Sequence, residues 1–344
     1  MHCQLLVPGF GWPHGDASEL CDTLAPDALE TLIARGRRTS APVLDPERWL
    51  FERFGVPRQR DWPAAPFSLF AEGGSPGNSA WICADPVHLR FERNRLMLLD
   101  STLFTIARDE AEALAVGINS HFGDSIIVHP LQPQRWYARL PDCPDMETTP
   151  ISSVRGGAIE AALPHGPDAM RWQACTNELQ MLLHDHPVNL AREARGELPV
   201  NSVWLWGAGR LPAPDRPPVR AFQYVAASDP LARGLAQASG AQAQELAANA
   251  LDWLAQAGHA GIGLIVLDSL AAPSRYGRAD AWREALSKLE LDWFAPLLAA
   301  LGQGTIGMLT LHLLALEHTL QVEVTRSDLR RFWRRRQPLA GWLA

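Results

Sequence analysis

From His184 to Gly209 the chain reads HDHPVNLAREARGELPVNSVWLWGAG, its densest run of polar side chains and glycines. His184 and His186 form an H-x-H pair, which on an extended strand puts two imidazoles on one face and can ligate a metal. Here the pair ends a helical pattern and precedes Pro187, so the rings should diverge; a histidine set against a helix C-terminus is the other reading. Asn189, Arg192 and Asn201 are candidates for gripping an anion, because a guanidinium offers a planar fork to phosphate or carboxylate. The alternative is that Asn189 caps the helix carrying Arg192 and Asn201 ties a turn. Asp85 and His88, in ICADPVHL, sit at strand spacing and are candidate ligand contacts, or else members of a hairpin with a bulge at Asp85–Pro86. Gly207 and Gly209 lack the Lys and Ser/Thr of a phosphate loop. Cys83 is a nucleophile only with a histidine beside it, and otherwise a buried structural thiol. The tail LRRFWRRRQP offers Arg330, Arg331, Arg334, Arg335 and Arg336 to phosphate, nucleic acid or an acidic partner, or is a solvated helix end.

The elements that must position these groups are legible as periodicities. CQLLVPG predicts a short buried first strand stopped by Pro8 and Gly9. APDALETLIARG and DPERWLFERFGV predict helices, the second with Asp45 as N-cap and Pro46 in its first turn. PAAPFSLFAEGGSPGNSA reads as a linker and RLPAPDRPPVR as a second boundary. Between them, Trp81–Phe91 and Leu96–Leu99 predict a hairpin, and SIIVHP and RWYARL two further strands. ARDEAEALAVGINSHF and GPDAMRWQACTNELQMLLHDHP predict helices, the latter stopped by Pro187. Then AFQYVAAS, DPLARGLAQAS, the helix AQELAANALDWLAQAG and GIGLIVLDS follow in a βαβ-like order.

The 344 residues allow a large core and two domains, and 47 % hydrophobic with 20 % charged residues is a globular composition. A net charge of -7 argues against wholesale nucleic-acid binding as a function class. Lys288 is the sole lysine, a bias that codon usage explains more simply than anion binding. Cys3, Cys21, Cys83, Cys143 and Cys175 are odd in number with no CxxC pair, which disfavours a zinc ribbon or disulfide scaffold. FAPLLAALGQGTIGMLTLHLLALEH is interrupted by Pro296, three glycines and His312, so it predicts buried helix plus strand rather than a membrane span. MHCQLLVPGFGWPHG lacks a basic leader, and the expectation is a soluble cytoplasmic protein without membrane partners.

Several segments in register resemble one family. ADPVHLRFERNRLMLLDS, HPLQPQRWYARL, NELQMLLHDHPVNLAREARGELPVNSVWLWGAG and SDPLARGLAQASGA look like the archaeal-type, cofactor-independent phosphoglycerate mutases of the alkaline phosphatase superfamily. They are closer still to a bacterial offshoot known as RpfE-type regulatory proteins. LELDWFAPLLAAL echoes a helix of the same mutases. The resemblance implies an alkaline-phosphatase-like α/β core sheet flanked by helices, formed by residues 1–72 and 212–344. A smaller α+β domain, 73–211, is inserted in it.

Such mutases use two divalent metals on Asp and His ligands and a serine nucleophile. Their first strand ends in a ligating Asp, where LLVPGF has Pro8; Pro26 stands in the place of the serine. Asp268 has an alanine four positions on instead of histidine, and no Asp-His pair follows. The stretch that faces substrate in the mutases carries Cys83 and Asp85 here, and a carboxylate there repels phosphate. The expectation is therefore a mutase-like protein that has lost its two-metal centre, binds no cofactor and serves in regulation or binding. Its ligand would be a phosphorylated small molecule or a protein, held between core and insertion. The alternative is an active phosphomutase or phosphatase whose Mn, Zn or Mg is held by a rearranged set: Asp16, His14, Asp268, His312 and His318.

Overall fold

The computed structural model describes residues 1–343 except 23, 93, 214 and 257–260. Along the chain run β1 (His2–Val7), α1 (Ala17–Cys21), α2 (Asp27–Arg35), β2 (Arg37–Pro42), α3 (Pro46–Arg53), α4 (Ala64–Ala71), β3 (Ala80–Glu92) and β4 (Arg95–Asp100). Next come α5 (Arg108–Phe122), β5 (Ile127–Gln132), β6 (Arg135–Leu140), α6 (Ile151–Val154), α7 (Ala169–His184), α8 (Pro187–Ala194) and β7 (Ser202–Gly209). The last third holds β8 (Tyr224–Ala226), α9 (Pro230–Ala238), β9 (Gln242–Gln244), α10 (Ala250–Gln256), β10 (Ile262–Val266), α11 (Ala271–Arg275), α12 (Ala279–Leu289), α13 (Ala295–Gln303), β11 (Met308–Leu314) and β12 (His318–Thr325).

The chain divides into one unit of Met1–Phe54 with Val219–Ala344 and a second of Gly55–Pro218. The first crossing thus lies at Phe54 rather than after residue 72, and the return at Pro218, inside RLPAPDRPPVR. The difference comes from α4. The segment expected as linker is helical over Ala64–Ala71 and buries six of those residues, including Phe67 and Leu69. Its apolar run AAPFSLF outweighs the prolines, and Pro66 is tolerated because it falls in the first turn.

In the first unit seven strands run in the order β2-β12-β11-β1-β10-β8-β9. β1 is central, parallel to both β10 and β11, while β12 returns antiparallel to β11. Alternation of side chains across the pleat gives the sheet two different faces. Cys3, Leu5, Val7, Leu309, Leu311, Leu313, Leu320, Val322 and Val324 share an apolar core with Leu29, Leu32, Leu286, Trp293 and Leu297. Each such burial contributes about 1.5–3 kcal/mol. On the opposite face of β11 and β12 the alternating positions are polar: Thr310, His312, Thr319 and Gln321. The expected single helix AQELAANALDWLAQAG is shorter, since Gln242–Gln244 pairs as parallel strand β9 with β8 and leaves α10 only Ala250–Gln256. Among the described residues no helix is long and apolar enough to cross a membrane.

The second unit is an antiparallel sheet, β4-β3-β6-β5, with β7 paired to β3. β7 is buried at every position, and Ile82, Leu114, Ile118, Trp136, Leu179, Leu183 and Leu205 form its core. Gly207 has φ +69°, and a Cβ there would stand 2.7 Å from the Ala64 Cβ; one at Gly209 would stand 2.4 Å from the Pro63 Cβ. The two glycines of WLWGAG are therefore what lets α4 approach β7. The α/β class expected from the sequence, a core sheet flanked by helices with a smaller α+β unit, is the one adopted.

Candidate functional site

Asp85, His88, His186, Asn189, Arg192 and Asn201 all spend polar groups on their own chain. The Asn189 amide donates to Leu183 O (2.7 Å) and Val200 O (2.9 Å) and accepts from Val200 N (2.8 Å). Arg192, 1 % exposed, donates to Leu198 O, Thr105 O and the Glu110 carboxylate. Asn201 accepts from Leu89 N and donates to Leu89 O, filling a gap in a strand edge. His186 caps α8, its Nδ1 accepting from Val188 N, while His184 is exposed at the end of α7. His88 Nδ1 meets Pro199 O at 2.9 Å. Asp85 accepts from the Trp206 indole at 2.6 Å, and burial pushes its carboxyl up to about 7. The tail is not a helix end: Arg334 donates to Gly36 O and Arg336 pairs with Asp27, laying the segment along α2.

Open sheets with parallel strands collect ligands beyond the carboxyl ends of those strands. At that place β1 delivers Pro8, Gly9, Phe10, Gly11 and Trp12, with Phe10 and Trp12 buried. A Cβ on Gly9 would come within 2.4 Å of the Ala271 Cα, and one on Gly11 within 2.7 Å of Leu316 N. Ser274 Oγ donates to Gly11 O at 2.6 Å and the Trp282 indole to Gly9 O at 3.0 Å. The segments that follow β1, β10 and β11 have closed on each other.

The alternative metal set is not gathered there. His14 Nε2 lies 3.0 Å from Ser274 O, Asp16 caps α1 through Ser18 N, and Asp268 is exposed in the turn before α11. His312 lies within β11, and His318 starts β12 opposite Pro42. Among the described residues no three His, Cys, Asp or Glu side chains are placed to hold a metal ion. The donors present do not fit a pair of divalent cations, which need several carboxylates and imidazoles converging on one point. Where the resemblance puts the nucleophile, the N-terminal amides of α2 at Ala28 and Leu29 donate to the buried Glu290 carboxylate. That carboxylate fills the anion position of the helix end.

A site of another kind lies on the polar face of the same sheet. A cavity of about 450 Å³ is lined by Arg48, Trp49, Glu52 and Arg53 of α3 and by His312, Thr319 and Gln321 of β11 and β12. Trp49 and Arg53 are one turn apart, and the guanidinium lies 5.0 Å from the indole centroid. The same indole packs against His312, with ring centroids 4.8 Å apart. His312 is 2 % exposed, and its Nε2 stands 3.0 Å from Gln4 Oε1. With that oxygen as acceptor the ring proton sits on Nε2, and the lone pair of Nδ1 has no partner. Burial, with the Arg53 charge nearby, lowers the imidazole to about 3, so it stays neutral. Arg48 is paired with Glu52 at 2.9 Å, whereas Arg53 has no carboxylate partner among the described residues. Chemically this is a cationic rim with a neutral hydrogen-bonding floor, the complement of a small oxyanion. Sequence reasoning singled out His312 only as a metal ligand and passed over Arg48, Trp49, Arg53 and Gln321. The available signal was the polar alternation of MLTLHLL and HTLQVEVT inside strands that are otherwise buried.

No family model matches the chain. A 68-residue stretch is 37 % identical to the 2,3-bisphosphoglycerate-independent phosphoglycerate mutase of Methanosarcina mazei, covering 20 % of this chain and 17 % of that one. A 75-residue stretch is 40 % identical to the same enzyme of Methanothrix thermoacetophila, covering 22 % and 19 %. The match thus spans less than a fifth of these relatives' length. Among solved structures, the PH0037 protein from Pyrococcus horikoshii superposes with a TM-score of 0.56 at 12 % identity, over 94 % of this chain and 87 % of that one. The cofactor-independent phosphoglycerate mutase from Thermoplasma acidophilum covers 99 % and 94 % at 16 % identity with a TM-score of 0.49. The chain is phosphoglycerate-mutase-like over part of its length, and its fold is the alkaline-phosphatase-like α/β fold.

Proposed function

We propose that this chain is a mutase-related binding or regulatory protein. In this reading it has given up two-metal phosphoryl transfer and holds a small phosphorylated or carboxylated anion in the cavity of α3, β11 and β12. The observation that carries the reading is the crevice beyond β1, β10 and β11, where Pro8 and the packed Phe10, Trp12 and Trp282 stand in place of converging oxygen and imidazole donors. The cavity supplies what recognition of an anion needs. Arg53, held in place by its stack on Trp49, forms charge-assisted bonds to the oxyanion, and Arg48 is released to it from Glu52. Gln321, whose Nε2 already donates one proton to Glu323 at 2.9 Å, keeps a second as a neutral donor, and the Nδ1 of His312 accepts from a hydroxyl of the ligand. A regulatory protein with no chemistry to perform needs a stable complex, and a rigid indole-backed guanidinium gives one at low entropic cost.

Calorimetric titration of the protein with inorganic phosphate and with 3-phosphoglycerate tests the binding half of the reading. We expect saturable binding of one anion per chain, weakened at least tenfold in Arg53→Gln and unaffected by manganese. Mutase and phosphatase assays of the same samples test the other half, with no turnover expected. Turnover that requires manganese would establish the enzyme instead.

A further inference from the structure

The second unit carries a pocket of opposite character. It lies against the sheet under α7, encloses about 370 Å³, and is lined by Leu89, Leu96, Ile159, Trp172, Ser202 and Trp204, with Gln173, Asn177 and Gln180 at its edge. The three amides recur at i, i+4 and i+7 of α7 and so form one polar stripe along the mouth. Trp172 and Trp204 are 7 % and 6 % exposed, and the Trp204 indole N–H is already satisfied by Thr149 O at 2.8 Å. The Trp204 ring therefore offers only apolar surface. Among the described residues the wall contains no Arg, Lys or His. Its one charged member, Glu160, is exposed and accepts from Leu96 N.

Inside this apolar wall one polar group is orphaned. Ser202, 1 % exposed, is the first residue of β7, and its Oγ has no hydrogen-bond partner. A buried hydroxyl without a partner costs about 1–3 kcal/mol, and a ligand that supplies the missing bond recovers that cost. At Leu89, Leu96 and Gln180 the hollow adjoins a second one of about 420 Å³, bordered also by Met181, His184, Asp185 and Asn201. A ligand longer than the first pocket has room to extend.

We propose that this pocket is a binding site for a small uncharged, predominantly apolar molecule that carries one hydrogen-bonding group, directed at Ser202. Volume and lining match small-molecule sites in general, which are apolar hollows of about 300–1,000 Å³ with few polar anchors. The absence of a cation among the wall's described residues sets the class. An anion entering here would lose its hydration without gaining a counter-charge, whereas a neutral molecule loses only water from apolar surface. The inference is independent of the anion cavity, since every residue it uses belongs to Gly55–Pro218.

Two fluorescent probes that share one ring system separate the possibilities. N-phenyl-1-naphthylamine is neutral with one N–H donor, and 8-anilinonaphthalene-1-sulfonate adds a sulfonate to the same frame. The full-length protein should bind the neutral probe saturably at one site, with energy transfer from Trp172 and Trp204, at least tenfold more tightly than the sulfonate. Thr176 lines the pocket from α7, so Thr176→Phe fills it and should abolish that signal. Ser202→Ala should weaken the probe about three- to tenfold, the equivalent of one hydrogen bond. If Thr176→Phe fails to fold, Trp172→Phe serves in its place and should remove a large part of the energy transfer while leaving the thermal midpoint near that of the parent. Equal or tighter binding of the sulfonate overturns the proposal, and so does neutral-probe binding indifferent to both pocket substitutions.

Discussion

Arg192 and Arg53 look alike in sequence, each beside a glutamate on an eight-residue helix with proline in its first turn, but the fold uses them in opposite ways. Arg192 in the second unit is sealed, its guanidinium spent on Leu198 O, Thr105 O and Glu110. Arg53 in the first unit is exposed, stacked on Trp49 at the rim of a cavity. The buried arginine is structural because nothing is left over on it. The exposed one has capacity to spare, and it faces a sheet surface that is polar where its reverse is wholly aliphatic. Unused hydrogen-bonding capacity beside a cavity, rather than residue type, separates a binding group from a structural one.

The largest expected effect breaks the comparison at its structural end. Arg192→Met removes one of the two cations that pair with the Glu110 carboxylate, Arg195 being the other, and the donors to Leu198 O and Thr105 O, at a cost of about 1–3 kcal/mol. Urea denaturation followed by tryptophan fluorescence should show that loss in the second unit, with phosphate binding by the first unit retained. A change below about 1 kcal/mol would mean that Arg192 is not the centre of its network.

The next effects are pH dependences of opposite sign. His312 has a folded-state pKa of about 3 against 6.5 when unfolded. Below about 6.5 the unfolded chain takes up a proton that the folded chain refuses, so stability falls by about 1.4 kcal/mol per pH unit until about pH 3. His312→Asn should flatten that acid limb. Asp85 in the second unit is the reverse case, raised to about 7 from 3.8. Its neutral form is favoured on folding, so its contribution is full at acid pH and is lost as pH rises from about 4 to 7. Asp85→Asn keeps an acceptor for Trp206 and should stabilise the protein by about 1–2 kcal/mol at pH 8, with little gain at pH 4. Thermal melts of both variants across this range check the two signs together. The smallest effect sharpens the functional end: Arg53→Gln should change stability by less than about 0.5 kcal/mol while weakening phosphate at least tenfold.

Much of the fold was legible because periodicity carries it. CQLLVPG, DPERWLFERFGV and the hairpin of WICADPVHLRFERNRLMLLD all form as the patterns predict. The failures have physical causes. AAPFSLF is helical because burial of Phe67 and Leu69 outweighs its prolines, and Gln242–Gln244 becomes a strand because β8 offers a free parallel edge. The candidate site was much less legible. Asn189, Arg192 and Asn201 have the residue types of an anion clamp, and only the hydrogen-bond partners show that their capacity is consumed. Arg53 and Gln321 are far apart in sequence and meet only through the order β2-β12-β11. Ser202 gives no signal at all until its partner is found to be missing. Pro8 and Pro26, by contrast, were readable directly, since proline offers a side chain with no donor atom.

Manganese titration of the purified protein, with free Mn²⁺ counted by electron paramagnetic resonance, tests the central claim most directly. The free-ion signal should rise in proportion to added metal from the first increment, in the presence or absence of 3-phosphoglycerate. Two ions taken up tightly per chain, and lost together when Asp268 is replaced by Asn, would contradict it.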